Sequence, residues 1–193
     1  MKWIAGLVMC AVAFCAVAAG AQNGKGHQNG GQNCSANCIQ LQPSDSATLS
    51  ADEVKWLLYM REEEKLARDI YNEFFRIYGL KIFGNIAVSE QRHFESIGTL
   101  ISRYGLTDPA QEAGVFLNAD IQALYDDLLA KGKLSVRDAL QVGVIIEETD
   151  IDDLEAAMSV TDRKDIDRVY ANLMAGSYSH LDAFESNLEM ANR

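Results

Sequence analysis

Residues 83–104 read FGNIAVSEQRHFESIGTLISRY. Within them Ile86, Glu90, His93, Ile97, Leu100 and Tyr104 recur in alternating steps of three and four. That spacing lays the six residues along one stripe of a helix, the stripe that packs against neighbours. Two of the six are not apolar. Glu90 and His93 stand one turn apart near the middle of the stripe. The stretch predicts a helix over about 85–104, halted by Gly105, that carries a carboxylate and an imidazole into its own packing surface.

Three further helices of the same kind are predicted around it. Ser50-Ala51-Asp52-Glu53 is a capping box, serine at the N-cap and glutamate three residues on. It opens a first helix that runs to Tyr78 and stops at Gly79, with the seam Leu57, Met60, Glu64, Ala67, Tyr71 and Phe74. A third long helix is expected from Ser135 to about Met158, with Leu140, Val144, Glu147, Ile151, Leu154 and Met158 as its seam. Thr161 is expected to cap a fourth, with Ile166, Tyr170, Leu173, Ser177, His180, Phe184 and Leu188. About thirty residues separate the second from the third, too many for a bare loop in a compact domain. A short amphipathic helix fits there, capped by Asn118, ended by Gly132, with Ile121, Leu124, Tyr125, Leu128 and Leu129 on one face. The chain holds only two prolines, Pro43 and Pro109, which favours long helices over a turn-rich sheet protein. The fold expected is all-α: a four-helix bundle with a short extra helix in the crossover between the second and third long helices.

Every seam is broken by polar residues near its midpoint: Glu64, Glu90 with His93, Glu147, and Ser177 with His180. At about 1.5 Å of rise per residue these fall within a turn or two of one level in a bundle. Burying several carboxylates costs several kcal/mol each unless something compensates, as order-of-magnitude reasoning has it. No seam carries arginine or lysine, so a divalent cation is the natural counter-charge. The E-x-x-H spacing of Glu90 and His93 arises often by chance. Its weight comes from lying inside a seam, in a chain with three histidines of which two, His93 and His180, hold matching positions. The competing reading makes Arg61-Glu62-Glu63-Glu64 a solvated face and the histidines ordinary hydrogen-bonded core residues.

This pattern resembles the ferritin-like superfamily of di-iron carboxylate proteins, in which two helices carry E-x-x-H and two carry a single glutamate. Glu64 with Ala67, Arg68 and Tyr71 looks like the first helix of rubrerythrin-like proteins. More closely, the words MREEEKLARDIY (60–71), FGNIAVSEQRHFESI (83–97), ALYDDL (123–128), ALQVGVIIEETDIDDLE (139–155) and GSYSHLDAF (176–184) look like the ferritin-like family catalogued as domain of unknown function 2202. The resemblance covers about residues 50–190. It implies a metal site of Glu64, Glu90, His93, Glu147 and His180. The chain departs from the superfamily at Ser177, where a second E-x-x-H would place a carboxylate. Asp150, one turn after Glu147, is expected to replace it, with Glu148 as the helix ligand if the register is off by one. Oxygen and nitrogen ligands suit iron, two ions or one, with manganese or zinc as alternatives. Superfamily analogy suggests oxygen- or peroxide-dependent iron chemistry: ferroxidase, peroxide reductase or oxidase. Two other readings stand beside it, a non-catalytic metal-buffering module and a degenerate-site bundle that binds a partner. Tyr71 is expected to pack in the core, and Arg68 and Asp153 are candidates for steadying the histidines. A cage of subunits is not expected; a homodimer is allowed.

The amino-terminal sequence reads differently. Lys2 followed by the apolar run Ile4 to Ala19, with Ala19-Gly20-Ala21 before Gln22, is the pattern of a secretory signal over 1–21. It predicts an exported protein, periplasmic or extracellular, with no membrane attachment after cleavage. Residues 22–49 are expected to form a flexible linker, ahead of a helical domain over 50–193. In that linker Cys34 and Cys38 suit a local disulfide in an oxidising compartment, or with His27 a weak metal motif. A formal charge of −11 disfavours nucleic acid and anionic membrane as partners. Small molecules remain: metal ions, and oxygen or peroxide.

Overall fold

The computed structural model describes residues 48–191. The signal, linker and cysteine expectations over 1–47 lie outside them. Among the described residues the chain is all helical, with five helices and no strand: α1 (Ala51–Tyr78), α2 (Lys81–Arg103), α3 (Ala119–Gly132), α4 (Val136–Met158) and α5 (Lys164–Ala191). No helix among them is long and apolar enough to cross a membrane.

The capping box at the start of α1 is formed. Ser50 Oγ accepts from the Glu53 amide at 3.1 Å, and Glu53 Oε2 accepts from the Ser50 amide at 2.7 Å. At the other end Gly79 adopts φ 66°, a left-handed conformation that glycine enters without steric cost, and its N–H closes on the Phe75 carbonyl. α2 begins at once, four residues before the expected Asn85. Its N-cap, Leu80, makes no side-chain cap. Packing extends the helix instead: Phe83 is fully buried against Tyr71, Phe74 and Phe184.

α1 pairs mainly with α2, and α4 with α5; α1 also touches α4, α2 touches α5, and α3 lies against α4 and α1. Glu53 ties the start of α1 to the turn before α5, accepting from Thr161 Oγ1 at 2.7 Å and Arg163 Nε at 3.1 Å. Thr161 was expected to cap the last helix. Its hydroxyl accepts from the Arg163 amide, ahead of a helix that starts only at Lys164.

The core comes in two parts. One gathers Ile70, Tyr71, Phe74, Phe83, Leu140 and Phe184; the other gathers Leu57, Met60, Ile97, Leu154, Tyr170 and Leu173. Glu64, Glu90, His93, Glu147, Asp150, Ser177 and His180 are buried as well, and along each helix they fall between the residues of one core and those of the other.

The run 61–65 is not a solvated face. All five residues are buried, Lys65 completely. The chain between α2 and α3 covers the side of α1 that points away from the core. Arg61 ion-pairs with Asp108 at 2.7 Å and donates to the Phe94 carbonyl. Glu62 accepts from the Leu117 amide at 2.6 Å. Lys65 donates to Asp69 at 2.8 Å and to the Val115 carbonyl at 3.1 Å. Helical periodicity sees only one face of α1, so this second buried face is invisible to it.

Candidate metal centre

Four helices bring their polar midpoints together. α1 supplies Glu64, α2 supplies Glu90 and His93, α4 supplies Glu147, and α5 supplies His180. Glu64, Glu90 and His93 form one group whose ligand atoms all lie within 4.8 Å of one another; Glu90, Glu147 and His180 form a second. Glu90 belongs to both. Its Oε2 lies 2.7 Å from His93 Nδ1, and its Oε1 lies 2.7 Å from His180 Nδ1. Glu64 Oε2 is 3.3 Å from His93 Nδ1, and Glu147 Oε2 is 3.5 Å from His180 Nδ1. The two imidazoles lie 5.6 Å apart, tilted by 29°.

These close approaches are not hydrogen bonds. His93 Nδ1, His180 Nδ1, Glu90 Oε1 and Glu64 Oε1 are buried and have no hydrogen-bond partner among the described residues. Each such group costs roughly 1–3 kcal/mol when left unsatisfied. Oxygen and nitrogen atoms that approach to 2.7 Å without hydrogen-bond alignment suit a common third atom. A cation bound by both would satisfy that geometry. The donor set, carboxylate oxygens with one imidazole per group and no sulfur, fits iron, manganese or zinc.

Protons balance the charges in the metal-free protein. Burial, with Asp150 and Glu90 alongside, pushes Glu64 well above the ordinary carboxylate range. Burial and the neighbouring Glu90 push Glu147 to about 7. For Glu90 itself burial acts upward, but His180 and His93 together outweigh it and hold it at about 2. Burial would lower His180, yet Glu147 and Glu90 lift it to about 9, and His93 is raised the same way, chiefly by Glu90.

Asp150 sits beside the two groups without joining either. Its Oδ2 accepts from Ser177 Oγ at 2.5 Å, while Oδ1 has no partner. Burial raises it to about 8 against that hydrogen bond, with Glu147 and Glu90 adding to the rise. Glu148 is exposed, so the helical register places Glu147 inward. Arg68 and Asp153 do not steady the histidines. Arg68 donates to Asp69 and to Gln91 Oε1, and Asp153 faces Glu63 and Tyr59.

Two residues near the site, Gly176 and Glu63, escaped the sequence, and a third, Tyr71, does more than was expected of it. Tyr71 packs in the core as expected, against Phe184 at 5.1 Å, but its hydroxyl also donates to Glu147 Oε1 at 2.6 Å. Gly176 leaves room for an imidazole, since a Cβ there would stand 2.6 Å from His93 Nε2. Glu63, buried next to Glu64, faces α4. Only the step of seven from Glu64 to Tyr71 was a signal in the sequence. The other two depend on which helix lies opposite.

The chain is similar to an uncharacterized protein of the archaeon Methanocaldococcus jannaschii, MJ0754, at 46% identity over 138 residues, 70% of this chain and 75% of that one. The crystal structure of the hypothetical protein MJ0754 superposes with a TM-score of 0.73 at 44% identity, covering 75% of this chain and 83% of the other. Residues 53–193 match the family described as Uncharacterized protein domain (DUF2202), and the chain belongs to that family.

Proposed function

We propose that this protein is a ferritin-like four-helix bundle, with α3 in the crossover, that holds two metal ions and carries out oxygen- or peroxide-dependent iron oxidoreductase chemistry. One observation supports the reading above the rest: two three-ligand groups share a single carboxylate, each Glu90 oxygen facing a different imidazole at 2.7 Å. A carboxylate shared in that way would let each group hold one ion. Iron bound there would supply two electrons to oxygen or peroxide.

The protein's own part is to hold and to shield. Glu64 and His93 would hold one ion, and Glu147 and His180 the other. The carboxylates absorb changes of charge, and the imidazoles fix position. Tyr71 orients Glu147 through its 2.6 Å hydrogen bond. Asp150, steadied by Ser177, keeps one uncommitted oxygen beside the two groups and would offer it as a further ligand, since Ser177 supplies no carboxylate. The apolar cores on either side restrict water, which strengthens every charge interaction between them.

Ser177 also supports a second reading, a metal carrier without turnover, because one bridging carboxylate is replaced by a hydroxyl. Anaerobic titration with ferrous iron followed by oxygen separates the two. Two irons per chain, oxygen consumption and ferric absorption in the near ultraviolet support the oxidoreductase. Tight metal without oxygen consumption supports the carrier. Failure of ferrous iron, manganese and zinc alike to bind overturns both.

A further inference from the structure

Beyond the two groups, more acidic side chains lie buried. Glu63 projects about 100° around α1 from Glu64, toward α4. It is 5% exposed, and its Oε2 has no hydrogen-bond partner among the described residues. The neighbours that act most strongly on it are all carboxylates: Asp150 and Asp153, one turn apart on α4, and Glu64. Asp153 is half-buried and reaches the hydroxyl of Tyr59. Exposed Asp152 and Asp120 stand outside these two, beside Asp153 and Tyr59 respectively. Carboxylates therefore run from the surface, through Asp153 and Glu63, to Asp150, whose Oδ1 is likewise unpartnered. Exposed Lys55 lies at the outer end of this file beside Asp153, and His93 lies beside Asp150 at its inner end.

We propose that Glu63 and Asp153 form the entry path by which divalent cations reach the two three-ligand groups; the proposal rests on the two-metal reading above. A divalent ion gives up its water only where oxygen atoms replace it. A buried carboxyl group with an uncommitted oxygen offers such a step. The file is not a third chelate. Among the described residues only two groups close their ligand atoms to within 4.8 Å, and neither contains Glu63 or Asp153.

Cobalt(II) is the probe, because its visible absorption reports occupancy without redox chemistry. Stopped-flow mixing gives the loading rate, and equilibrium titration gives the number of ions bound. Glu63→Gln and Asp153→Asn keep shape and remove charge; Glu155→Gln removes an exposed charge from the same helix, off the path. The path predicts loading slowed about tenfold or more in the first two variants, with wild-type stoichiometry, spectrum and helicity, and an unchanged rate in Glu155→Gln. Wild-type rates in both path variants overturn the path alone. Fewer ions at equilibrium also overturn it, because Glu63 or Asp153 is then a ligand. If the wild-type protein takes up no cobalt, the two-metal centre falls and the path with it.

Discussion

The hydroxyl of Ser177 on α5 donates to Asp150 on α4 across 2.5 Å, with both side chains sealed from solvent. Ser177 stands three residues before His180, the spacing at which an E-x-x-H motif would carry glutamate. α5 thus supplies a short hydroxyl, and the carboxylate arrives from the facing helix, one oxygen fixed and the other open. Ser177→Ala frees the fixed oxygen and lets the side chain turn. We expect metal affinity to fall about tenfold, as loss of a hydrogen bond that orients a ligand typically does, while Asp150→Asn weakens it further. Competition with a chelator of known affinity gives the numbers. Wild-type affinity in Asp150→Asn removes this residue from the metal's surroundings.

Glu90 faces both imidazoles, so its loss is predicted to be unlike any other. Glu90→Ala should abolish both bound metals. Glu64→Ala and Glu147→Ala should each leave one, and His93→Ala should lose metal while keeping its helicity. Elemental analysis of protein reconstituted under one set of conditions tests the pattern. Two metals retained in Glu90→Ala would falsify the shared-carboxylate arrangement.

The metal-free protein should become less stable as pH rises from about 5 to about 8. Glu147 and Asp150 are held protonated to about 7 and about 8. The native state therefore binds protons that the unfolded chain has already released above the ordinary carboxylate range near 4. His180, raised to about 9, acts in the same direction: its stabilisation is complete below about 6.5 and is lost as pH climbs through 9. Fewer protons on the unfolded chain mean that stability falls with pH across this window. Bound metal replaces those protons, so the gain in Tm on metal addition should grow with pH. Thermal melts of chelator-treated and reconstituted protein at the two pH values decide it; a metal-free Tm that rises toward pH 8 contradicts the proton balance described for the site.

Gly176 sets alanine's usual advantage in a helix, about 1 kcal/mol, against a close contact. The added methyl would meet His93 Nε2 at 2.6 Å, and the ring must turn away. On the two-metal reading, Gly176→Ala should therefore lose the His93 half of the site and keep the His180 half, lowering the stoichiometry from two to one. Full stoichiometry in this variant would show that the His93 ring yields to the methyl without leaving the site.

Away from the site, Glu53 joins the first turn of α1 to the turn before α5. Burial would raise this carboxyl, but the Ser50 amide, Thr161 and Arg163 hold it below its ordinary value. A lowered carboxylate stabilises above its unfolded pKa, and that contribution disappears as pH falls through the folded one. Glu53→Ala should cost about 1–2 kcal/mol at neutral pH, and the difference should shrink below pH about 4. Denaturant melts at pH 7 and pH 3.5 measure both. An equal deficit at the two values would mean that packing, not charge, accounts for the loss.

Much of this architecture is written in the spacing of apolar residues. The sequence seams from Leu57 to Phe74 and from Ile86 to Leu100 are buried throughout, because steps of three and four identify a helix's inner stripe without knowledge of its partners. The same stripes carry Glu64, Glu90, His93, Glu147 and His180, which meet in space for that reason. What periodicity could not read is contact made off the stripe. Lys65 is completely buried because residues between α2 and α3 fold over it. Glu63 is buried because α4 turns Asp150 and Asp153 toward it. The start of α2 was misplaced because Phe83, not a capping side chain, holds that first turn.

Two apolar cores with a hydrophilic waist between them divide the labour of the molecule. Cohesion resides at the ends, in aromatic and aliphatic contacts that need no ion, so the backbone at the waist is held in register whether or not the waist is filled. Side chains there can be exchanged through evolutionary time with little consequence for folding. A serine on α5 matched by an aspartate from α4 is the kind of exchange such a partition permits.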